Sequence, residues 1–189
     1  MLIRTALQSD CAAIAELHAS SWRSAYRGAL SDEYLAGDVE QDRRQLWESR
    51  LTEPPKHQHV YVAADGDRLI GFACLYGNEN AKLGSFLNNI HVSQAAQGRG
   101  IGASLLHATA ELCTQLYSEV GLYLSVIQSN TKAQAFYTRY GAKNVGTAVW
   151  HAPGGTDAPL LRFAWESPRA LQEATANPSF KRTGLRPAA

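Results

Sequence analysis

The strand-like run from Leu87 to Val92 leads through a short segment into Gln97-Gly98-Arg99-Gly100-Ile101-Gly102, and from there into a long helical pattern. Ile101, Leu105, Ala108, Leu112 and Leu116 recur at spacings of 4, 3, 4 and 4, which is one apolar stripe of a helix that lies against a core. Three glycines in five residues clear side chains from the strand-to-helix turn. The first helical amides, at 99 to 103, have no intrahelical partner and point outward from the positive end of the helix dipole. A pyrophosphate is a natural occupant of such a turn, with Arg99 as a cation beside it. A tight turn that needs small residues would also account for the glycines. Gly98, Gly100 and Ala103 further fit the dinucleotide pattern G-x-G-x-x-A. That pattern, however, opens the first βαβ unit of a chain and requires an acidic residue at a strand's end about 20 positions on. The residue there is Glu119, in a polar turn.

The residues that follow narrow the choice. Gly121 to Val126 reads as a second strand, Asn130 comes next, and a short helix from Lys132 to Tyr140 carries Phe136-Tyr137 and ends at Gly141. In these features the chain resembles the GCN5-related N-acetyltransferases (GNAT). The family's first motif, Q/R-x-x-G-x-G/A, is matched by Gln97 to Gly102, and its second, an Asn followed seven residues later by Tyr and then by Gly, by Asn130, Tyr137 and Gly141. The resemblance covers about residues 1 to 166. It implies an α/β fold, a mixed and twisted sheet with flanking helices, in which strands 87–92 and 121–126 run parallel and splay apart. A crossover helix between parallel neighbours is what the β-α-β spacing requires. The resemblance also implies acetyl-CoA as cosubstrate. Its pantetheine amides would pair with backbone near Ile90 and Val92, much as an added strand would. Its pyrophosphate would sit on residues 97 to 102. Asn130 would hydrogen-bond the pantetheine arm, cap helix 132–140, or both.

Acyl transfer to an amine needs loss of a proton from the amine, a donor for the developing oxyanion and a proton for the departing thiolate. By the resemblance, Tyr137 occupies the general-acid position and the backbone amide of Val92 is the oxyanion donor. A tyrosine of pKa about 10 against a thiol of about 8.5 makes full proton transfer uphill by about 2 kcal/mol. A hydrogen bond that strengthens as the thiolate forms is therefore the expected contribution. Packing of Tyr137 on Phe136 is the purely structural alternative. The base is less defined. Where many family members carry Glu or His, this chain reads Phe86, Asn88, Asn89 and Ser125. His91 is close, but strand alternation would turn it away. Glu79, in a polar loop from Gly77 to Gly84, could reach in, and a water chain anchored by Asn88 or Asn89 would also serve. Trp22, Tyr26 and Arg27 fall where the family lines its acceptor pocket, and two aromatics there would suit an amine cation. Aromatic packing between the first helices is the alternative. His57-x-His59 lacks a third ligand, so no metal is expected.

The acceptor implied is a small-molecule or peptide primary amine. A CoA-binding module without catalysis is the competing class, favoured by the lack of an obvious base. Net charge is +1, so no bulk field draws nucleic acid or a membrane surface. Met1-Leu2-Ile3-Arg4-Thr5 opens no signal-peptide apolar region, and no apolar run is long enough to span a bilayer. Cys11, Cys74 and Cys113 are widely spaced, odd in number and in apolar contexts, as expected of reduced thiols in cytoplasm.

Elsewhere, the spacing predicts a strand over 2–6, a helix capped by Ser9-Asp10, a short helix capped at Ser31, a helix over 42–51, hairpin strands 59–64 and 68–76, and a second hairpin of 142–151 and 160–165. After Ser167 the composition shifts: Arg169, Lys181, Arg182 and Arg186 face a single Glu173, and Pro and Gly interrupt any helix beyond 169–176. Residues 167 to 189 thus read as a basic extension of a domain at 1–166. Packing on a partner chain, as in a homodimer, would order such a tail, as would an incidental contact.

Overall fold

In a computed structural model, residues 1–117 and 120–176 are described. In chain order the elements are β1 (Leu2–Thr5), α1 (Cys11–Ala25), α2 (Asp32–Ala36), α3 (Val39–Thr52), β2 (Gln58–Asp65), β3 (Arg68–Asn80), β4 (Gly84–Val92), α4 (Ile101–Leu116), β5 (Leu122–Ile127), α5 (Thr131–Arg139), β6 (Lys143–His151), β7 (Asp157–Trp165) and α6 (Pro168–Thr175). The sheet runs β1-β2-β3-β4-β5-β7-β6, and β4–β5 is its parallel pair. Glu119, the acidic residue that the dinucleotide pattern would use, lies outside the described residues.

Alternation along the strands divides two cores. Leu75, Leu87, Leu122, Leu124 and Phe163 pack beneath α4, which presents Ile101, Leu105 and Ala108 to them. Val60, Val62, Phe72 and Cys74 point the other way, against Ile14 and Leu17 of α1 and Trp47 of α3. The predicted α4 stripe slips at its end. Leu116 is 55% exposed, and Cys113 and Tyr117 take the core positions instead. Gly71 explains how closely α4 sits: a Cβ there would come within 3.2 Å of both Ile101 and Leu105.

Two local expectations fail for identifiable reasons. Asp10 does not cap α1, because its carboxylate accepts from Arg4 at 2.7 and 2.9 Å and from the Leu7 amide at 2.7 Å. The predicted polar loop from Gly77 is largely strand. β3 continues to Asn80, whose side chain accepts from the Lys82 and Leu83 amides and folds the chain directly back into β4.

The feature that makes a site is the junction of β4 with β5. Parallel pairing covers Ser85↔Leu122 and Phe86↔Tyr123, then stops. Beyond Phe86, β4 keeps only its β3 partner and β5 only β7, so the two strands diverge as expected. β4 also carries a bulge. Cys74 pairs with Asn89 but Leu75 with Leu87, which leaves Asn88 without a register partner.

Helix α6 packs against α4. Leu171 is fully buried in the core beneath α4, and His107 and Thr175 share a 3.0 Å hydrogen bond. The more basic part of the extension, with Lys181, Arg182 and Arg186, lies outside the described residues.

Candidate active site

An open cleft of about 1680 Å³ runs from the mouth of the β4–β5 splay to the N-terminus of α4. Ile90 and Val92 of β4 line it, as do Gln97, Gly98, Gly100, Ile101 and Gly102 of the turn. Asn130 and Tyr137 close it from the α5 side. Gly100 is the N-cap of α4 with φ 79°, in the left-handed region, and no side chain caps the helix. The first-turn amides of α4 therefore face the cleft uncovered. Gly102 has a different reason to be glycine: a Cβ would lie 3.1 Å from the Phe136 ring, so the residue lets α5 approach α4.

The cation beside this turn is not the one expected. Arg99 is 55% exposed, bonds Asp65 at 3.2 Å and does not line the cleft. Lys132 does line it, donating at 2.9 Å to the Gln97 side chain, whose amide nitrogen in turn reaches the Val92 carbonyl at 3.3 Å. A lysine in the first helical turn after Asn130 was the available signal for it. Asn130 caps α5 through its side-chain oxygen, 3.0 Å from the Ala133 amide. Its side-chain nitrogen has no hydrogen-bond partner among the described residues and stays available to a ligand.

Tyr137 is 8% exposed, and its ring is walled by Phe136, Phe163 and Trp165. Burial, reinforced by the neighbouring Tyr26, pushes the hydroxyl well above the usual tyrosine range. A hydroxyl so placed keeps its proton and can only donate or share it.

The opposite wall belongs to α1, through Leu17, Ser20, Ser21 and Ser24. Trp22, Tyr26, Tyr34 and Trp150 form one aromatic cluster that joins α1 and α2 to the β6–β7 hairpin. Arg43 stands 4.1 Å over the Trp22 ring, so that face already holds a cation from the chain itself. Neither Trp22 nor Tyr26 lines the cleft, although Tyr26 lies close enough to Tyr137 to influence its hydroxyl. Burial raises the Tyr26 hydroxyl itself to about 12. Arg27 is exposed and donates to the Arg23 carbonyl. Asn88 and Asn89 both face α3, because of the bulge, and their oxygens accept from Arg50 at 3.2 and 3.0 Å.

His91 lines the cleft, with its ring 4.8 Å from His18 and 5.2 Å from Phe72. His18 is fully buried and its Nδ1 accepts from the Trp47 indole at 3.0 Å, which assigns its proton to Nε2. Burial and Arg43 lower His91 to about 4, so it is neutral at pH 7. The pairing with His18, from a helix 73 positions earlier, could not be read from strand alternation. Glu79 is exposed near the far end of β3 and does not line the cleft. His57 and His59 both lean on the Tyr117 hydroxyl, at 3.5 and 2.8 Å, and no group of three metal-ligating side chains occurs among the described residues.

The histidine pair carries a pH dependence of stability. With folded pKa values below the unfolded 6.5, the unfolded chain binds more protons as pH falls from 6.5 toward 4. Stability is fully present above pH 6.5 and is lost across that window. The melting temperature should therefore fall between pH 6.5 and 4. In His91→Leu the fall should be smaller but still present, because His18 titrates in the same sense. An identical fall in both proteins would contradict the assignment.

The Acetyltransferase (GNAT) family profile matches residues 12–142. The chain belongs to this family. Among curated GNAT relatives, the mycothiol acetyltransferase of Jonesia denitrificans is 34% identical over 97 residues, 49% of this chain and 30% of that protein. The spermine/spermidine N(1)-acetyltransferase of Bacillus subtilis is 31% identical over 101 residues, 47% of this chain and 64% of that protein. The aligned part thus spans less than two thirds of either relative. The fold matches the PaiA N-acetyltransferase of Thermoplasma acidophilum, solved with coenzyme A, at TM-score 0.67 and 19% identity over 86% of this chain and 98% of that one. It also matches the ribosomal-protein-alanine N-acetyltransferase of Brucella melitensis at TM-score 0.64 and 23% identity over 88% and 99%. The mixed seven-stranded sheet with its β4–β5 splay is the GNAT fold.

Proposed function

We propose that the chain is an N-acetyltransferase that passes an acetyl group from acetyl-CoA to a primary amine of a small molecule or peptide by direct attack. One observation carries this reading: the diverging β4 edge, the uncapped α4 N-terminus and the buried Tyr137 hydroxyl open into a single cleft. Acetyl-CoA fits these residues and supplies the activated acyl group when bound. The amides of residues 98–102 and Lys132 hold its pyrophosphate, and backbone at Ile90 and Val92 pairs with its pantetheine arm. The Val92 amide donates to the developing oxyanion. Tyr137 donates a hydrogen bond that strengthens as charge gathers on sulfur. His91, neutral at pH 7 and low in basicity, does not strip an alkylammonium, so the amine loses its proton through water.

No described helix is long and apolar enough to cross a membrane. With a net charge of +1 and dispersed cysteines, the reading is completed as a cytoplasmic enzyme that needs neither nucleic acid nor membrane. Residues 1–166 form its catalytic domain, α6 at the start of the 167–189 extension packs on α4 of the same chain, and the assembly proposed is a homodimer.

Steady thiol release from acetyl-CoA with a panel of amines tests the function. The expected result is release that requires an amine and rises toward each amine's own pKa as pH increases. Acetyl-CoA binding with no release from any amine would instead make the chain a non-catalytic CoA-binding module.

A further inference from the structure

On the face of the sheet turned away from α4, a row of side chains crosses the base of the splay. Tyr76 of β3 is in register with Phe86 of β4, and Phe86 with Tyr123 of β5, the latter two rings stacked at 4.9 Å. An arginine stands at each end. Arg50, from α3, lies 5.6 Å from the Tyr76 ring and bonds the oxygens of Asn88 and Asn89. Arg162 of β7 is in register with Ser125 of β5 and close enough to Tyr123 to act on its hydroxyl.

Neither guanidinium has a carboxylate within ion-pair distance among the described residues. The Nε of Arg162 is buried with no hydrogen-bond partner. A third cation, Arg43 of α3, pairs with Asp42 at 3.0 Å and covers Trp22, and its Nε is likewise buried without a partner. The acidic group that faces this row is Glu79, which is exposed and acts on both Tyr76 and Tyr123. A guanidinium taken out of water without an anion is costly, and its planar fork matches a carboxylate. A polyamine brought to this face would meet two unneutralised like charges.

We propose that the acceptor is an amine that also carries a carboxylate. Its carboxylate is held by Arg162, Arg50 at the other end of the row adds to the positive field, and its nitrogen is presented to the splay beside Asn88. This inference rests on the acyl-transfer reading and narrows it to one substrate class.

The test is thiol release with matched acceptors: free amino acids against their carboxamides, an acidic peptide against its neutral counterpart, and spermidine. Acids should be preferred at least tenfold in kcat/KM, and Arg162→Gln should cut that preference by about tenfold and Arg50→Gln by less. The free acids and the acidic peptide separate the two sources of the carboxylate. Preference for spermidine or the neutral partners overturns the inference and leaves the acyl-transfer reading standing. So does an acid preference unchanged in both variants, each still folded by circular dichroism. Failure to bind acetyl-CoA in calorimetry, with no release from any acceptor, overturns both.

Discussion

Replacing Gly100 with valine is expected to weaken acetyl-CoA binding by well over tenfold. Two effects act in the same direction. Gly100 holds φ 79° at the N-cap of α4, a conformation that a β-branched residue adopts only with strain. The local turn must then shift, and the amides it aims shift with it. A branched side chain would also stand where phosphate oxygens approach the backbone. Several charge-assisted bonds are lost together, at about 1.5–3 kcal/mol each. The fold itself should survive, because α4 is anchored by Ile101 at its first position and Leu105 one turn on, 2% and 0% exposed. Calorimetry on a variant still folded by circular dichroism decides the matter, and unchanged affinity would remove the pyrophosphate from this turn.

Tyr137→Phe should lower turnover by about 100-fold or more while the Michaelis constant for acetyl-CoA moves little. Phenylalanine preserves the ring contacts with Phe136, Phe163 and Trp165, so packing is kept and only the hydroxyl is lost. That hydroxyl is desolvated and beside Tyr26, and so is poised as a donor with no tendency to ionise. Its value grows as sulfur becomes negative, which places the loss in the chemical step. Equal turnover in the two proteins with a good acceptor would reduce Tyr137 to a packing residue.

The elements that build the cleft were legible because each is encoded locally. The α4 stripe, the glycines of the turn and the cap at Asn130 each depend on residues within a few positions of one another. The mixed sheet and the splay followed from the resemblance that these residues carry. What sequence reading missed depends on partners far along the chain. Arg99 is drawn off the turn by Asp65, and Lys132 takes its place at Gln97. Asp10 is drawn off its helix by Arg4, and Arg43 from α3 covers Trp22. Asn88 faces Arg50 because of a bulge that no alternation pattern records. The half-buried arginines are the clearest case. In sequence, Arg50 and Arg162 are ordinary surface-type residues, and only the packing of α3 and the pairing of β5 with β7 put them at the two ends of the row that crosses the splay.

The central claim, direct transfer across the splay, is tested most directly by locating the acetyl group after a single turnover. Enzyme in excess over acetyl-CoA is mixed with an acceptor amine, and protein and amine are weighed by mass spectrometry through the time course. The predicted result is acetylated amine appearing in step with free thiol, and no acetylated protein at any time. Acetyl accumulating on the protein before it reaches the amine, or thiol released with no acetylated amine, would contradict it.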